Sequence, residues 1–204
     1  VVEDKCKYSG RDPKSFLSLD EVLKMDDISG ENGRFVRVIT AANGKKAFLR
    51  IYKDNHVYPY ESQISTALKT LLQEAPMVGF VTGHKERSGM DMGEKGYGTF
   101  ASNKTFRYSL ENSGYGVREI SLEHPVAEDI NIIVLADMRS DFTEEEFRNF
   151  DAYLERGGNL FILGEPKRQQ FMNPVIERLG LRFADGIIVS PSEVNLDDLV
   201  AANI

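Results

Sequence analysis

The stretch that most constrains this chain is "INIIVLADMRSDFTEEEFRNFDAYLERGGNLFILGEP", residues 130–166. It opens on a run, Ile130 to Leu135, that is apolar on both faces, a pattern suited to a strand covered on both sides of a sheet. Thr143 and Glu146 then stand at the spacing of a capping box, with Phe147, Phe150 and Leu154 on one helical stripe. Gly157-Gly158 supply a glycine stop, and Leu160 to Leu163 form a second apolar strand. A strand, a helix and a second strand joined by short connections predict a right-handed crossover and parallel pairing.

The same rhythm extends upstream. "MVGFVTG" (77–83) reads as a buried strand, "SNKTFRYSLENSGYG" as a helix capped by Ser102 and stopped by Gly114, and "VREISL" (117–122) as an alternating strand. "NPVIERLGLRFADGIIV" predicts a shorter helix and a final strand or hairpin. The fold class is therefore α/β, with a doubly wound, mostly parallel sheet. Before it, "PYESQISTALKTLLQEAP" carries Ile64, Ala67, Leu68, Leu71 and Leu72 at helical spacing and closes at Pro76. "RFVRVITAANGKKAFLRIY" predicts an antiparallel hairpin turning at Asn43-Gly44, both residues suiting a type I′ turn. "DPKSFLSLDEVLKM" (12–25) predicts a short helix on Phe16, Leu19, Val22 and Leu23. The expected organisation is an extension with a hairpin over 1–60, the α/β domain over 61–190 and a tail over 191–204.

Charge and cysteine content exclude several functions. Net charge is −7 and the pI about 5.1, with no basic face of the size that nucleic-acid binding needs. Cys6 is the single cysteine, which rules out an intrachain disulfide and a cysteine-based zinc site. No apolar run approaches a membrane span, and no signal peptide is evident. Beginning at Val1 rather than Met, the sequence reads as a piece of a longer protein, whose membrane anchor would lie outside it.

In open parallel sheets, ligands bind beyond the carboxyl ends of the strands, where strand order reverses. A central strand at 77–82 would put the glycine-rich loop 83–99 there. A connection of that length is either functional or a mobile surface loop. Thr82, Gly83, His84, Lys85, Glu86 and Arg87, with Asp137 and Glu165 from the later strand ends, are the candidate binding residues. No phosphate-cradling GxGxxG follows the strand, and GxxxxGK[ST] is absent, so no nucleotide cofactor is expected. His84, Glu86 and Asp91 could be grouped as metal ligands. However, His56, His84 and His124 are scattered, and the simpler expectation is no metal, with His84 orienting its own turn. The strand-to-helix elbow where hydrolases and amidotransferases place a nucleophile reads Gly164-Glu165-Pro166, without Ser or Cys. No catalytic residue is therefore assigned. The competing expectation, a hydrolase or transferase using Glu165 or the His84/Glu86 turn, calls for a carboxylate and an imidazole in contact across a pocket. Alanine at His84 and Glu86 is expected to impair function while leaving melting nearly unchanged.

Taken together, "ESQISTALKTLL" (61–72), "VGFVTGHKE" (78–86), "YGVREISLEH" (115–124), the 130–166 stretch and "LGLRFADGIIV" (179–189) resemble a known family. It comprises the auxiliary, substrate-binding-like domains of bacterial ABC-type export systems, the gliding-motility protein GldG among them. Lys85 stands where that family has a small residue. The resemblance implies a flavodoxin- or class I amidotransferase-like fold without a catalytic set. It further implies an extracytoplasmic (periplasmic) domain working with permease or other membrane subunits, with a small-molecule or carbohydrate ligand as a possible guest.

Overall fold

The two apolar runs at 77–81 and 130–136 lie side by side at the centre of a four-stranded parallel sheet. In the computed structural model, residues 2–52, 56 and 58–191 are described; the expected tail, from 192 onward, falls outside them. In chain order the elements are α1 (Val2–Ser9), α2 (Leu19–Met25), β1 (Val36–Thr40), β2 (Lys46–Arg50), α3 (Glu61–Leu72) and β3 (Met77–Val81). They continue with α4 (Gly98–Ala101), β4 (Gly116–Ile120), β5 (Ile130–Ala136), α5 (Glu144–Glu155), β6 (Asn159–Leu163) and α6 (Gln169–Ile176). β1 and β2 form a separate antiparallel hairpin, and the main sheet has the order β4-β3-β5-β6. From β3 the chain steps outward to β4, and from β5 it steps the other way to β6. Strand order thus reverses between β3 and β5, and the loops leaving their carboxyl ends open at that point.

Alternation along the strands builds two cores. Val81, Ile133 and Leu135 face α5 and α6, packing with Phe150, Tyr153, Met172 and Val175. Val78, Phe80, Val134 and Ala136 face the other way, onto Ala101 and the partly buried Tyr97, Leu110 and Tyr115. Phe150 is fully buried, a burial that contributes about 1.5–3 kcal/mol. The helix carrying it starts at the Thr143/Glu146 capping box. It ends in a Schellman arrangement in which Gly157 N donates to Leu154 O (2.9 Å) and Gly158 N to Tyr153 O (3.0 Å). Gly157 takes the required positive φ of 85°.

The hairpin packs on α3, burying Ala47 against Ala67 and Leu71. An ion pair joins its Arg50 to Glu31 at 2.8 Å, and Arg50 Nη1 also donates to Asn112 Oδ1 at 2.9 Å. These contacts tie the N-terminal part of the chain to the loop before β4.

Four local expectations need correction. The hairpin turn is not type I′: only Gly44 of the Asn-Gly pair has positive φ (82°). Asn43 instead accepts from Lys45 N through its side chain (3.0 Å), and Ala41 N still reaches Lys45 O (2.9 Å), leaving a three-residue loop. The helix expected to start at Ser102 is absent; a short α4 ends there, and the chain continues in turns. Asn103 captures Thr105 N (2.8 Å), and Asn112 Nδ2 donates to the carbonyls of residues 103, 104 and 106, satisfying backbone groups that a helix would otherwise use. The final strand or hairpin expected at the end of the stretch 173–189 does not form among the described residues. Upstream of its end, the backbone of Phe183 bonds to the Asn173 side chain through both its N–H (2.9 Å) and its C=O (3.2 Å), so that residue joins no ladder. In the N-terminal helix, Phe16 lies outside α2, and Leu19 and Leu23 are exposed.

Candidate functional site

The site begins where β3 runs out. Thr82 closes the ladder to β4, its N–H donating to Ile120 O at 2.9 Å. Gly83 then turns the chain at φ +124°, a conformation open to glycine, and Lys85 sits at φ +60° and is exposed. Between them His84 points inward. Its backbone N–H donates to Glu86 Oε2 (2.6 Å), its Nδ1 lies 3.1 Å from Glu86 Oε1, and its Nε2 lies 3.2 Å from Glu146 Oε2. The side chains of His84, Glu86 and Glu146 are 7%, 1% and 6% exposed. Only a doubly protonated ring donates at both positions; a neutral ring donates at one. Glu146 is also the capping-box residue, accepting from Thr143 N (2.7 Å) and Thr143 Oγ1 (2.8 Å). Burial pushes its carboxyl up, but the Thr143 hydrogen bonds and His84 outweigh it and hold the group below its ordinary 4.5. One imidazole thus fastens the β3 turn to the start of α5. Arg139 N donating to His84 O (2.8 Å) and Arg87 N to Ala136 O (3.0 Å) stitch the same turn to the end of β5.

Beside this lock lies a charged network drawn from three strand ends. Arg87 Nε is 2.7 Å from Asp137 Oδ2, and Arg87 Nη2 donates to Glu165 Oε1 at 2.9 Å. Tyr97 donates its hydroxyl to Asp137 Oδ2 at 3.3 Å. Glu165 Oε2 pairs at longer range with Arg139 (3.5 Å) and Arg168 (3.6 Å). Asp137 is itself at φ +55°, placed there as its N–H reaches Leu163 O (2.9 Å). Burial raises the Asp137 carboxyl above its ordinary 3.8, with Arg87 opposing, and burial likewise raises the Tyr97 hydroxyl, with Asp137 adding to it. For Glu165, burial pushes upward, but the Arg87 hydrogen bond and the surrounding guanidinium charges hold the carboxyl below its usual range.

The loop 83–97 is closely bonded. Gly98 N donates to Asp91 O, Tyr97 N to Ser88 O (both 2.8 Å) and Ser102 Oγ to Gly89 O (3.0 Å). A Cβ at Gly96 would sit 2.1 Å from Asp91 O, which accounts for that glycine by chain packing.

Of the sequence candidates, Arg87, Asp137 and Glu165 meet in one network, while Thr82 and Gly83 shape the turn and Lys85 stands outside it in solvent. His84 and Glu86 do meet, yet in the interior, so they position the turn. Their near-complete burial leads to a different expectation from the one drawn on sequence, namely that alanine there lowers melting. Asp91 accepts from Gly93 N (2.8 Å) and caps its own turn. Among the described residues no three His, Cys, Asp or Glu side chains are grouped to hold a metal ion. The imidazole–carboxylate contact that an enzymatic site would need is present, but both ring nitrogens of His84 face carboxylates, and neither a hydroxyl nor a thiol bonds to the ring among the described residues. Sequence reading missed Arg168, Tyr97 and the second role of Glu146, whose capping spacing was visible but whose partner lies 62 residues away.

Fold and site together define an α/β protein whose switch-point crevice is lined by ion pairs. Residues 75–201, more than half of the chain, match the family described as ABC-type uncharacterized transport system, and the chain belongs to that family. It is thus an auxiliary component of an ABC-type transport system. No match is found among curated proteins or solved structures. Among the described residues no helix is long and apolar enough to cross a membrane.

Proposed function

We propose that this chain is a non-catalytic, extracytoplasmic (periplasmic) binding and interaction domain, related in fold to amidotransferase-like proteins and to gliding-motility auxiliary components. The crevice of Arg87, Asp137, Arg139 and Glu165 is its contact surface toward permease or other membrane subunits, or toward a small-molecule or carbohydrate ligand. The observation that carries this reading is the crevice's chemistry. Its imidazole is held between two buried carboxylates, and its elbow, Gly164-Glu165-Pro166, offers neither Ser nor Cys, which supports a non-catalytic reading. Loops at the carboxyl ends of a parallel sheet are where such folds present recognition groups. Because the hairpin packs on α3, the extension of residues 1–60 and the α/β unit of 61–190 act together in this proposal.

The test is co-purification and transport in cells carrying Arg139→Glu, a charge reversal at a half-buried rim side chain that spares the His84 lock. Loss of permease association or of transport, with melting retained, is the expected result. Normal assembly and normal transport would remove the crevice as the contact surface. Cysteine labelling of Lys85→Cys by an impermeant reagent in intact cells tests the extracytoplasmic placement; labelling only after lysis would refute it.

A further inference from the structure

The network at Glu165 is unbalanced in a telling way. Arg87, Arg139 and Arg168 come from the loops after β3, β5 and β6, and all three guanidinium groups turn toward one carboxylate. Against these three cations stand Asp137 and Glu165, in a chain whose net charge is −7. The fit is also incomplete. Arg87 makes a hydrogen bond to Glu165, but the contacts from Arg139 and Arg168 are 3.5 and 3.6 Å, too long and misaligned for one. The Nε atoms of Arg139 and Arg168 and Oε2 of Glu165 are shielded from solvent without a hydrogen-bond partner among the described residues. Shielded donors without acceptors are costly, and guanidinium groups are suited to bidentate recognition of carboxylate and phosphate. Glu165 is not buried deeply: its side chain is 31% exposed and follows β6 on a short loop. A cavity of about 340 Å³ adjoins it, lined by Gly164, Pro166, Gln169, Phe183 and Ile187.

We infer that Arg87, Arg139 and Arg168 form a receptor for an oxyanion, a phosphate or carboxylate group on an incoming ligand, and that Glu165 occupies it as an internal stand-in. An external oxyanion displaces the Glu165 carboxylate toward solvent and takes up the long, misaligned contacts of Arg139 and Arg168. Asp137 stays in place, holding Arg87 from its other side together with Tyr97. The adjoining cavity receives the remainder of the ligand. This rests on the crevice being a recognition surface and specifies the chemistry recognised there.

Calorimetric and NMR titrations with inorganic phosphate, with citrate, and with phosphatidylglycerol vesicles against phosphatidylcholine vesicles test it on the whole chain. Glu165→Gln, which removes the competing charge, is expected to bind about tenfold more tightly than the unaltered protein, the size of one charge-assisted contact. Arg139→Ala and Arg168→Ala are each expected to bind about tenfold more weakly, with melting little changed because both side chains are about one-third exposed. Saturable binding of phosphate or citrate that follows this order places the anion on a soluble ligand. Binding of phosphatidylglycerol vesicles alone, weakened about tenfold by Arg139→Ala, places it on a lipid headgroup; both outcomes support the receptor. No saturable binding of any probe to the Glu165→Gln protein, or equal binding by all variants, overturns it. Transport impaired by Arg139→Glu without anion binding would defeat the oxyanion receptor while leaving the contact surface standing; anion binding with normal transport would do the reverse.

Discussion

Replacing His84 by alanine is the perturbation that most directly probes how the crevice is built. The substitution removes a ring that bridges two carboxylates whose side chains are 1% and 6% exposed, and leaves those charges facing each other across the vacated space. Each lost hydrogen bond to a charged group amounts to roughly 1.5–3 kcal/mol. The tilted contact with Phe142, at 4.8 Å between ring centroids, adds about 0.5–1.5 kcal/mol. Entry of water and local relaxation offset part of this sum, and breaking a buried pair by removing one partner typically costs about 3–5 kcal/mol. That is a large share of a stability of about 5–15 kcal/mol, and at this chain length it corresponds to a fall in Tm of roughly 10 °C. Urea denaturation followed by circular dichroism reads it as a lower midpoint at unchanged slope. Glu146→Gln in the same cycle separates the pair: the two substitutions together are expected to cost at least about 1 kcal/mol less than their sum. A loss under about 1 kcal/mol for His84→Ala, with no coupling to Glu146, would refute the lock and return the turn to the status of a surface loop.

Other outcomes follow from the same geometry. The Glu146 carboxyl lies below its ordinary 4.5 in the folded chain, so the stability it supplies is present above that value and is lost as pH falls through its folded pKa. Asp137 acts in the opposite sense: raised by burial above its ordinary 3.8, it favours the folded state increasingly as pH falls through its folded value toward 3.8. Melting scans across the acid range should therefore show a shallower acid loss in Glu146→Gln and a steeper one in Asp137→Asn; unchanged profiles would contradict both assignments. Thr143→Ala removes the cap of α5 and one anchor of Glu146, with an expected loss of about 1–2 kcal/mol by urea denaturation. Gly158→Ala would place a Cβ 2.3 Å from the Tyr153 ring, whose hydroxyl donates to Asn159 O, and a loss of about 1–3 kcal/mol is expected; a neutral result would show that the ring yields.

What could be read from the residues alone is what local neighbours encode. The capping box at Thr143 and Glu146, the glycine stop at Gly157-Gly158 and the apolar runs at 77–81 and 130–136 each depend on neighbours within a few residues, and all appear where periodicity places them. Parallel pairing followed from the strand–helix–strand order, and the elbow sequence Gly164-Glu165-Pro166 is read directly as one without Ser or Cys. Local reading failed where Asn side chains take up backbone groups, as at residues 103–112 and at the hairpin turn, because which groups they capture is set by the folded conformation and not by spacing along the chain. Arg87, Asp137 and Glu165 could be named from their places at strand ends, but which side chains touch there is settled by the assembled fold. His84 meets Glu146, and Arg87 meets Asp137, Glu165 and their neighbouring arginines, because the order β4-β3-β5-β6 brings three carboxyl strand ends together. No spacing along the chain encodes that adjacency, and the burial that turns a histidine into a lock exists only once those ends have closed around it.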